Sequence, residues 1–286
     1  MKTLISGASG LLGSNLLPYL KDNGIDCYGL ARKSPADINC DFIDREQVFE
    51  TLDQLRPEKI INLIALTSVD ECEKNPNKAI LYNVRTLENI VAWIKEKSPE
   101  TYLIHISSDH VYNQKGPHRE DNVDIINTYA NTKYYSEQVA SEVKSTILRT
   151  NFFGLHRLHS DRGFWNYITR SLKNNTHFSV STEALFSPLY ISTFCTYILT
   201  ILKNPVPGVF NLGSRGGMSK GDFVKRVCEL TDMDFRYMIP EEILQLHKSV
   251  RPEDMRMDCS AFEEAYNVQL PELEHEIEIA CRELSL

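Results

Sequence analysis

A glycine-rich turn directly behind the first apolar run sets the tightest limit on what this chain can become. Residues 2–6 read as a strand. Gly7-Ala8-Ser9-Gly10-Leu11-Leu12-Gly13 follows without a spacer, and Leu11, Leu12, Leu16, Leu17 and Leu20 then share one helical stripe. Strand, glycine turn and helix in immediate succession open a βαβ unit. The first glycine permits the turn, the second lets a diphosphate approach the backbone, and the third lets helix and strand pack closely. A helix starting there offers unpaired N–H groups and the positive end of its dipole. Gly7, Ser9, Gly10, Leu11, Leu12 and Gly13 are therefore the first dinucleotide-binding candidates. Pro18 is expected to bend that helix or shift its start.

The rhythm continues through the first half. Strand-like runs at 27–31, 59–66, 102–107 and 145–149 alternate with helical stripes, one of Val48, Leu52 and Leu55 and a longer one of Ile80, Val84, Leu87, Ile90, Val91 and Ile94. Such alternation predicts an α/β fold with a doubly wound parallel sheet. Beyond residue 150 the pattern loosens to helices at 164–172 and 191–202, a strand at 208–212, and a Ser219-x-x-Asp222 helix cap. A chain of 286 residues accommodates two unequal domains. We expect a Rossmann-type dinucleotide domain over 1–150 and a smaller α+β substrate-binding region over 151–286.

Composition narrows the partners. A net charge of −8 argues against a nucleic-acid surface, so an anionic ligand must be met by local donors. The seven cysteines are scattered and never form Cys-x-x-Cys, which predicts reduced thiols in a cytoplasmic protein and no metal site. His156, His159 and Asp161 are a weak metal-like group, in a loop without further ligands. No apolar run approaches ~18 residues, so neither a membrane span nor a signal peptide is expected.

Chemistry is concentrated in two segments. Tyr129 and Lys133 lie four residues apart, so on a helix they project from one face. A cation beside a phenol favours the phenolate and suits the pair to proton exchange with a carbonyl oxygen. Ser107-Ser108-Asp109-His110-Val111-Tyr112 ends the strand-like run at 102–107. Ligands bind beyond the carboxyl ends of such strands, which places a serine hydroxyl for a substrate oxygen. His105, inside the run, is expected to be a hydrogen-bonded core residue. Arg32 and Lys33 close the second strand where an NAD-selective protein carries an acid, and this favours NADPH, with NADH as the alternative. Asp41 and Phe42 are candidates to meet the adenine, the ring by stacking; Asp41 serves equally as a cap for the next helix. The implied reaction is hydride transfer to a carbonyl carbon, with Tyr129 as proton donor, Ser108 on the oxyanion, and Lys133 tuning Tyr129 and gripping the nicotinamide ribose.

These segments resemble the extended short-chain dehydrogenase/reductases, and within them the dTDP-4-dehydrorhamnose reductases and their sugar-nucleotide relatives. The resemblance runs through Gly7-x-x-Gly10-x-x-Gly13, Cys40-Asp41-Phe42, Thr67-Ser68-Val69-Asp70, Asn83-Val84, Ser107 to Tyr112, Tyr129-x-x-x-Lys133, Gly208-Val209-Phe210-Asn211-Leu212 and Arg251-Pro252. It implies that Ser108, Tyr129 and Lys133 are catalytic and that residues 186–204 return to the sheet. It further implies that backbone at Ile64, Ala65 and Leu66, together with Ser107, meets the cofactor, and that Asn83 supports the site. Thr67, Asp109, His110, Val111, Tyr112, Asn151, Phe152 and Arg251 are the substrate-side candidates, for a nucleotide-diphosphate sugar, in what is implied to be a homodimer. Arg251 and Arg256 are offered for the diphosphate or for plain ion pairs. Phe152, Phe153, Phe164 and Trp165 are offered for stacking on the ligand or for the core. The chain lacks the family's Trp after Arg149-Thr150-Asn151 and the Pro before Asn127. No Glu follows Asp109, which argues against a 4,6-dehydratase; an epimerase or a non-catalytic subunit like the β-subunit of methionine adenosyltransferase remains as the alternative to a reductase.

Overall fold

The computed structural model describes residues 2–33, 36–158, 163–242 and 249–284. The alternation read from the sequence builds a seven-stranded, mostly parallel sheet. Strands β1 (Thr3–Ser6), β2 (Cys27–Ala31), β3 (Ile38–Asn39), β4 (Lys59–Asn62), β5 (Tyr102–Ile106) and β6 (Ser145–Thr150) lie in the order β3-β2-β1-β4-β5-β6, with the strand Gly208–Leu212 beside β6. β1 is parallel to both β2 and β4, and β5 to both β4 and β6. Strand order reverses at β1, the switch point where open α/β sheets take ligands. The fold class is the Rossmann-like one expected. Helices α1 (Leu11–Asp22), α2 (Arg45–Leu55), α3 (Val69–Lys74), α4 (Pro76–Ile80), α5 (Thr86–Lys97) and α6 (Thr128–Ala140) fill the connections.

The chain packs as two compact units. The first comprises Met1–Ser108, Thr128–Arg149 and Cys195–Phe210; the second comprises Asp109–Asn127, Thr150–Phe194 and Asn211–Leu286. The sequence placed one boundary at 150 and returned 186–204 to the sheet. The packing differs because the backbone leaves the end of β5 at Ser108 and bonds to second-unit segments before re-entering as α6. His118 N–H donates to the Arg256 carbonyl at 2.8 Å, Tyr112 Oη to Asn211 Oδ1 at 2.7 Å, and Asn127 Nδ2 to the Val250 carbonyl at 3.2 Å.

In the first unit, Leu4, Leu30, Ile60, Leu103 and Ile147 of the sheet pack against Val48 and Leu52 of α2 and Leu87, Ile90 and Ile94 of α5. Burying each such side chain contributes about 1.5–3 kcal/mol. Two expectations are corrected. Pro18 does not move the start of α1, because the glycine turn fixes Gly10 as the N-cap and the helix runs on through the proline. Ile80 leaves the apolar stripe and is 50% exposed. A π-helical turn at Leu81–Arg85 inserts an extra residue between α4 and α5 and rotates Ile80 out of phase with Val84 and those that follow. The strand-like run at 59–66 also ends early, at Asn62, and leaves Leu63 to Thr67 as a loop.

The second unit is built on rings. Phe153, Trp165, Tyr190 and Phe223 are buried together, with the Phe153 and Phe223 centroids 4.9 Å apart, edge to face. Trp165 and Phe153 are therefore core residues. The helices Phe164–Lys173 and Lys220–Thr231 and the parallel pair Phe178–Ser181 with Met238–Glu241 surround them.

Candidate active site

The glycine turn is a preformed anion seat. Gly7 adopts φ +78°, and a Cβ there would stand 3.1 Å from Leu63 C and Ile64 N, so only glycine lets the turn after β1 touch the loop after β4. A Cβ on Gly13 would fall 2.6 Å from Ala8 Cα and the Gly7 carbonyl oxygen, so α1 lies directly on the turn. Gly10 caps α1 in an extended conformation, with no side-chain cap and no acid in the first turn. Three other helices have a side-chain cap, with Asp44 accepting Gln47 N–H, Ser68 accepting Glu71 N–H and Ser219 accepting Asp222 N–H, while Phe164–Lys173, behind Gly163, has none either. The N–H groups opening α1 lack any such partner and fit a dinucleotide's phosphates.

The other cofactor-side candidates divide. Arg32 is exposed; its guanidinium lies 5.5 Å over the Tyr82 ring and donates to the Tyr82 hydroxyl. Lys33 is exposed beside it. Phe42 corrects an expectation: its ring is 4% exposed and belongs to the core, so it is not a stacking face. Asp41 holds the N–H of Ile43 at 3.1 Å, while Asp44, not Asp41, caps α2. Ile64, Ala65 and Leu66 are half-buried. Asn83, in the π turn, pins this loop: its Oδ1 accepts Leu66 N–H at 2.6 Å, and its Nδ2 donates to the Leu66 carbonyl at 3.3 Å and to Thr132 Oγ1 at 2.9 Å.

Thr132 carries that tie into α6, donating to the Tyr129 carbonyl at 2.9 Å. Tyr129, Lys133 and Glu137 recur every four residues along α6, and all three are buried. The Lys133 ammonium donates to the Ile106 carbonyl, at the end of β5, at 2.7 Å. Burial lowers its pKa to about 8, and Glu137 one turn on pulls the other way. Ser108, 4% exposed, follows that same strand end. Glu137 is a residue that sequence reading missed; the four-residue spacing beyond Lys133 was its only signal. It receives Arg149 at 2.7 Å through Nη2 and at 3.0 Å through Nε, and the Ser107 hydroxyl at 2.5 Å. Ser107 is thus bonded into the interior, because a buried carboxylate gathers donors.

His105 is the core histidine expected, buried and bonded on both ring nitrogens. Ser6 Oγ donates to Asn62 Oδ1 at 2.7 Å, so the Asn62 amide is assigned as donor to His105 Nδ1 at 3.1 Å. Nε2–H then donates to Ser136 Oγ at 2.8 Å, and Ser136 donates to the Lys133 carbonyl at 2.6 Å. Burial first, and Lys133 second, hold this ring neutral.

Most substrate-side candidates lie in the second unit. Asp109 accepts Asn151 Nδ2 at 2.7 Å, which brings two of them together. Tyr112 is fully buried, its hydroxyl bonded to Asn211 and its ring stacked on His118 at 4.8 Å, and Val111 is buried as well. His110 and Arg251 are half-buried. Phe152 is half-buried, with its ring 5.2 Å from Phe194. Arg256 forms a two-pronged ion pair with Asp254, at 2.7 and 3.0 Å. Thr67 belongs to the first unit and is exposed.

Among the described residues no group of three or more His, Cys, Asp or Glu could hold a metal; His159 and Asp161 lie outside them. All seven cysteines are free and buried. No described helix is long and apolar enough to cross a membrane.

Comparison with known proteins follows the same lines. The chain is 27% identical over 290 residues to a "probable low-salt glycan biosynthesis reductase" of Haloferax volcanii, covering 97% of this chain and 96% of that protein. It is 24% identical over 275 residues to the methionine adenosyltransferase 2 subunit beta of Xenopus tropicalis, covering 92% and 81%. The crystal structure of a dTDP-4-dehydrorhamnose reductase from Bacillus anthracis, in complex with NADP, superposes with a TM-score of 0.89 at 24% identity over 99% of both chains. A glycine turn with an uncapped helix, a Tyr-x-x-x-Lys helix beside the end of β5, and a match across residues 1–285 agree, and the chain belongs to the RmlD substrate-binding-domain family.

Proposed function

We propose that this chain reduces the ketone of a 4-keto-6-deoxy nucleotide sugar to the 4-hydroxy sugar with NADPH. When bound, NADPH supplies the hydride that becomes the new C–H bond. Tyr129 gives its phenolic proton to the oxygen as the carbonyl becomes an alcohol, and Ser108 donates a hydrogen bond to that oxygen while its charge develops. The observation that carries this reading is Lys133. An ammonium has three donors, and among the described residues Lys133 uses one, on the Ile106 carbonyl. The other two remain for ribose hydroxyls, and the positive charge one helical turn from Tyr129 favours the phenolate that forms as the proton leaves.

The first unit takes the dinucleotide and the second the substrate in this reading. The uncapped start of α1 supports a diphosphate cofactor, and Arg32 supports a 2′-phosphate, which makes NADH the lesser choice. Asp109 with Asn151 supports sugar recognition, and Arg251 the diphosphate. Relatives with reductase names support the reaction class. A cytoplasmic homodimer belongs to the same reading.

Tyr129→Phe tests it: NADPH oxidation with a panel of 4-keto nucleotide sugars should fall by about 10²–10⁴-fold while NADPH binding, followed by its fluorescence, is kept. Undiminished turnover, or no dinucleotide uptake by the parent, would falsify the proposal. Similarity to the methionine adenosyltransferase subunit supports a second reading, a regulatory NADP-binding protein. That reading requires a parent that binds NADPH, turns over no sugar in the panel, and co-purifies with a larger enzyme.

A further inference from the structure

The second unit holds an ammonium that no residue around it explains. Lys220 opens the helix Lys220–Thr231, straight after its cap Ser219. Its root is fixed, because its N–H donates to the Ala184 carbonyl at 3.0 Å and the preceding Met218–Ser219 pairs antiparallel with Leu185–Phe186. Nζ stands 5.9 Å from the ring centroids of both Phe164 and Phe186, which meet each other edge to face. Among the described residues Nζ makes no hydrogen bond and no ion pair. Two charges act on it from farther away: Asp109, which favours its protonated form, and Arg251, which opposes it.

A cation held this way is costly. Lys220 is half-buried, and two aromatic faces return only about 0.5–2 kcal/mol each for the water its ammonium gives up. Burial accordingly dominates and lowers the Lys220 pKa. Asp109 does not settle the account, since its carboxylate already accepts Asn151 Nδ2 at 2.7 Å and lies beyond ion-pair reach of Lys220. Lys220 thus feels a second cation, Arg251, as well as the Asp109 carboxylate. The ligand chemistry that answers an ammonium with three unused donors is a compact dianion with several acceptor oxygens.

We infer that Lys220 is the phosphate anchor of the second unit: its ammonium, set by the Phe164 and Phe186 rings and without a hydrogen-bond partner among the described residues, binds the diphosphate of the nucleotide sugar. This rests on the reductase reading above. As an ammonium, Lys220 supplies a point charge with three rotatable donors for phosphate oxygens.

The test is calorimetric titration of the full chain with dTDP, UDP, CDP and GDP, for the parent and for Lys220→Met and Lys220→Arg, with NADPH affinity measured alongside. The expected result is at least a tenfold loss of affinity for the preferred diphosphate in Lys220→Met, substantial recovery in Lys220→Arg, and unchanged NADPH affinity in both. The 4-keto substrate should show the same loss mainly in KM. Lys220→Met binding the diphosphate within about twofold of the parent overturns the anchor and leaves the reductase reading intact. A parent that takes up none of the four diphosphates sinks both. Should Lys220→Met fold poorly, Lys220→Gln removes the charge and keeps a polar tip, and the same two criteria apply to it.

Discussion

Two buried glutamates set the units apart. In the first unit Glu137 is surrounded by charge and hydroxyls: the Arg149 guanidinium grips it through two nitrogens, the Ser107 hydroxyl donates to it, and the Lys133 ammonium is one turn away. In the second unit Glu276 is as deeply buried but, among the described residues, has only neutral donors within hydrogen-bond reach, the Tyr190 N–H at 2.6 Å and the Thr193 hydroxyl at 3.0 Å. Around Glu137 the interior is built to keep ions charged. Around Glu276 it is built to pack rings and dock the helix Leu273–Leu284. The first arrangement serves chemistry that needs a buried ammonium; the second serves shape.

Breaking the charged arrangement has the largest expected effect on stability. Arg149→Met leaves Glu137 buried without its cation, and a broken buried pair costs about 3–5 kcal/mol. Urea unfolding at pH 7 measures it. The double variant Arg149→Met with Glu137→Met should recover most of the loss, since an apolar pair of similar volume is close to neutral. Turnover should stay low in the double variant, because Lys133 then lacks the carboxylate that supports its charge and Ser107 lacks its acceptor. A double variant as unstable as the single one would mean that the pair is no closed unit, and the contrast with Glu276 would lose its basis.

The charged interior also predicts opposite pH responses for activity and stability. Lys133 loses its proton above about pH 8, so kcat/KM, which reports the free enzyme, should fall about tenfold per pH unit beyond that point. Stability moves the other way. Between about 8 and the ordinary lysine value of ~10.4, the folded chain binds fewer protons at this residue than the unfolded chain does. The contribution of Lys133 to stability therefore rises with pH across that window. Activity and melting temperature measured together from pH 7 to 10 check both signs. Parallel decline of the two would mean that unfolding, not Lys133, sets the alkaline limb.

The sequence made the first unit legible because its signals are local. Gly7, Gly10 and Gly13 are contiguous with a strand and a helix, and the spacing of Tyr129 and Lys133 is one helical turn. What stayed hidden depends on partners far along the chain. Glu137 becomes meaningful only beside Arg149. His105 was legible as a core residue, but not its partners Asn62 and Ser136. Tyr112 looks like a ligand contact until Asn211, ninety-nine residues on, takes its hydroxyl. Phe42 looks like a stacking face until α2 and α5 close over it. The π turn at Leu81–Arg85 broke a stripe that periodicity alone had carried back to Ile80. In the second unit, where rings from distant segments pack together, local pattern gave the helices but neither the extent of the unit nor Lys220.

The smallest effect sharpens the comparison from its neutral side. Burial raises the Glu276 pKa, against the Tyr190 N–H, the Thr193 hydroxyl and the more distant His275. A carboxyl whose folded pKa lies above its unfolded value contributes stability at low pH and loses it as pH rises through the folded value. At pH 7 the carboxylate is therefore a cost, and Glu276→Gln removes it. The same change replaces one acceptor oxygen by an amide, and a lost hydrogen bond costs about 0.5–1.5 kcal/mol. The two effects oppose, so the variant should lie within about 1 kcal/mol of the parent at pH 7, by urea unfolding, and compare less favourably at pH 5, where the parent carboxyl is closer to neutral. A loss near that of Arg149→Met would show that Glu276 also depends on a cation, and the two interiors would no longer differ in kind.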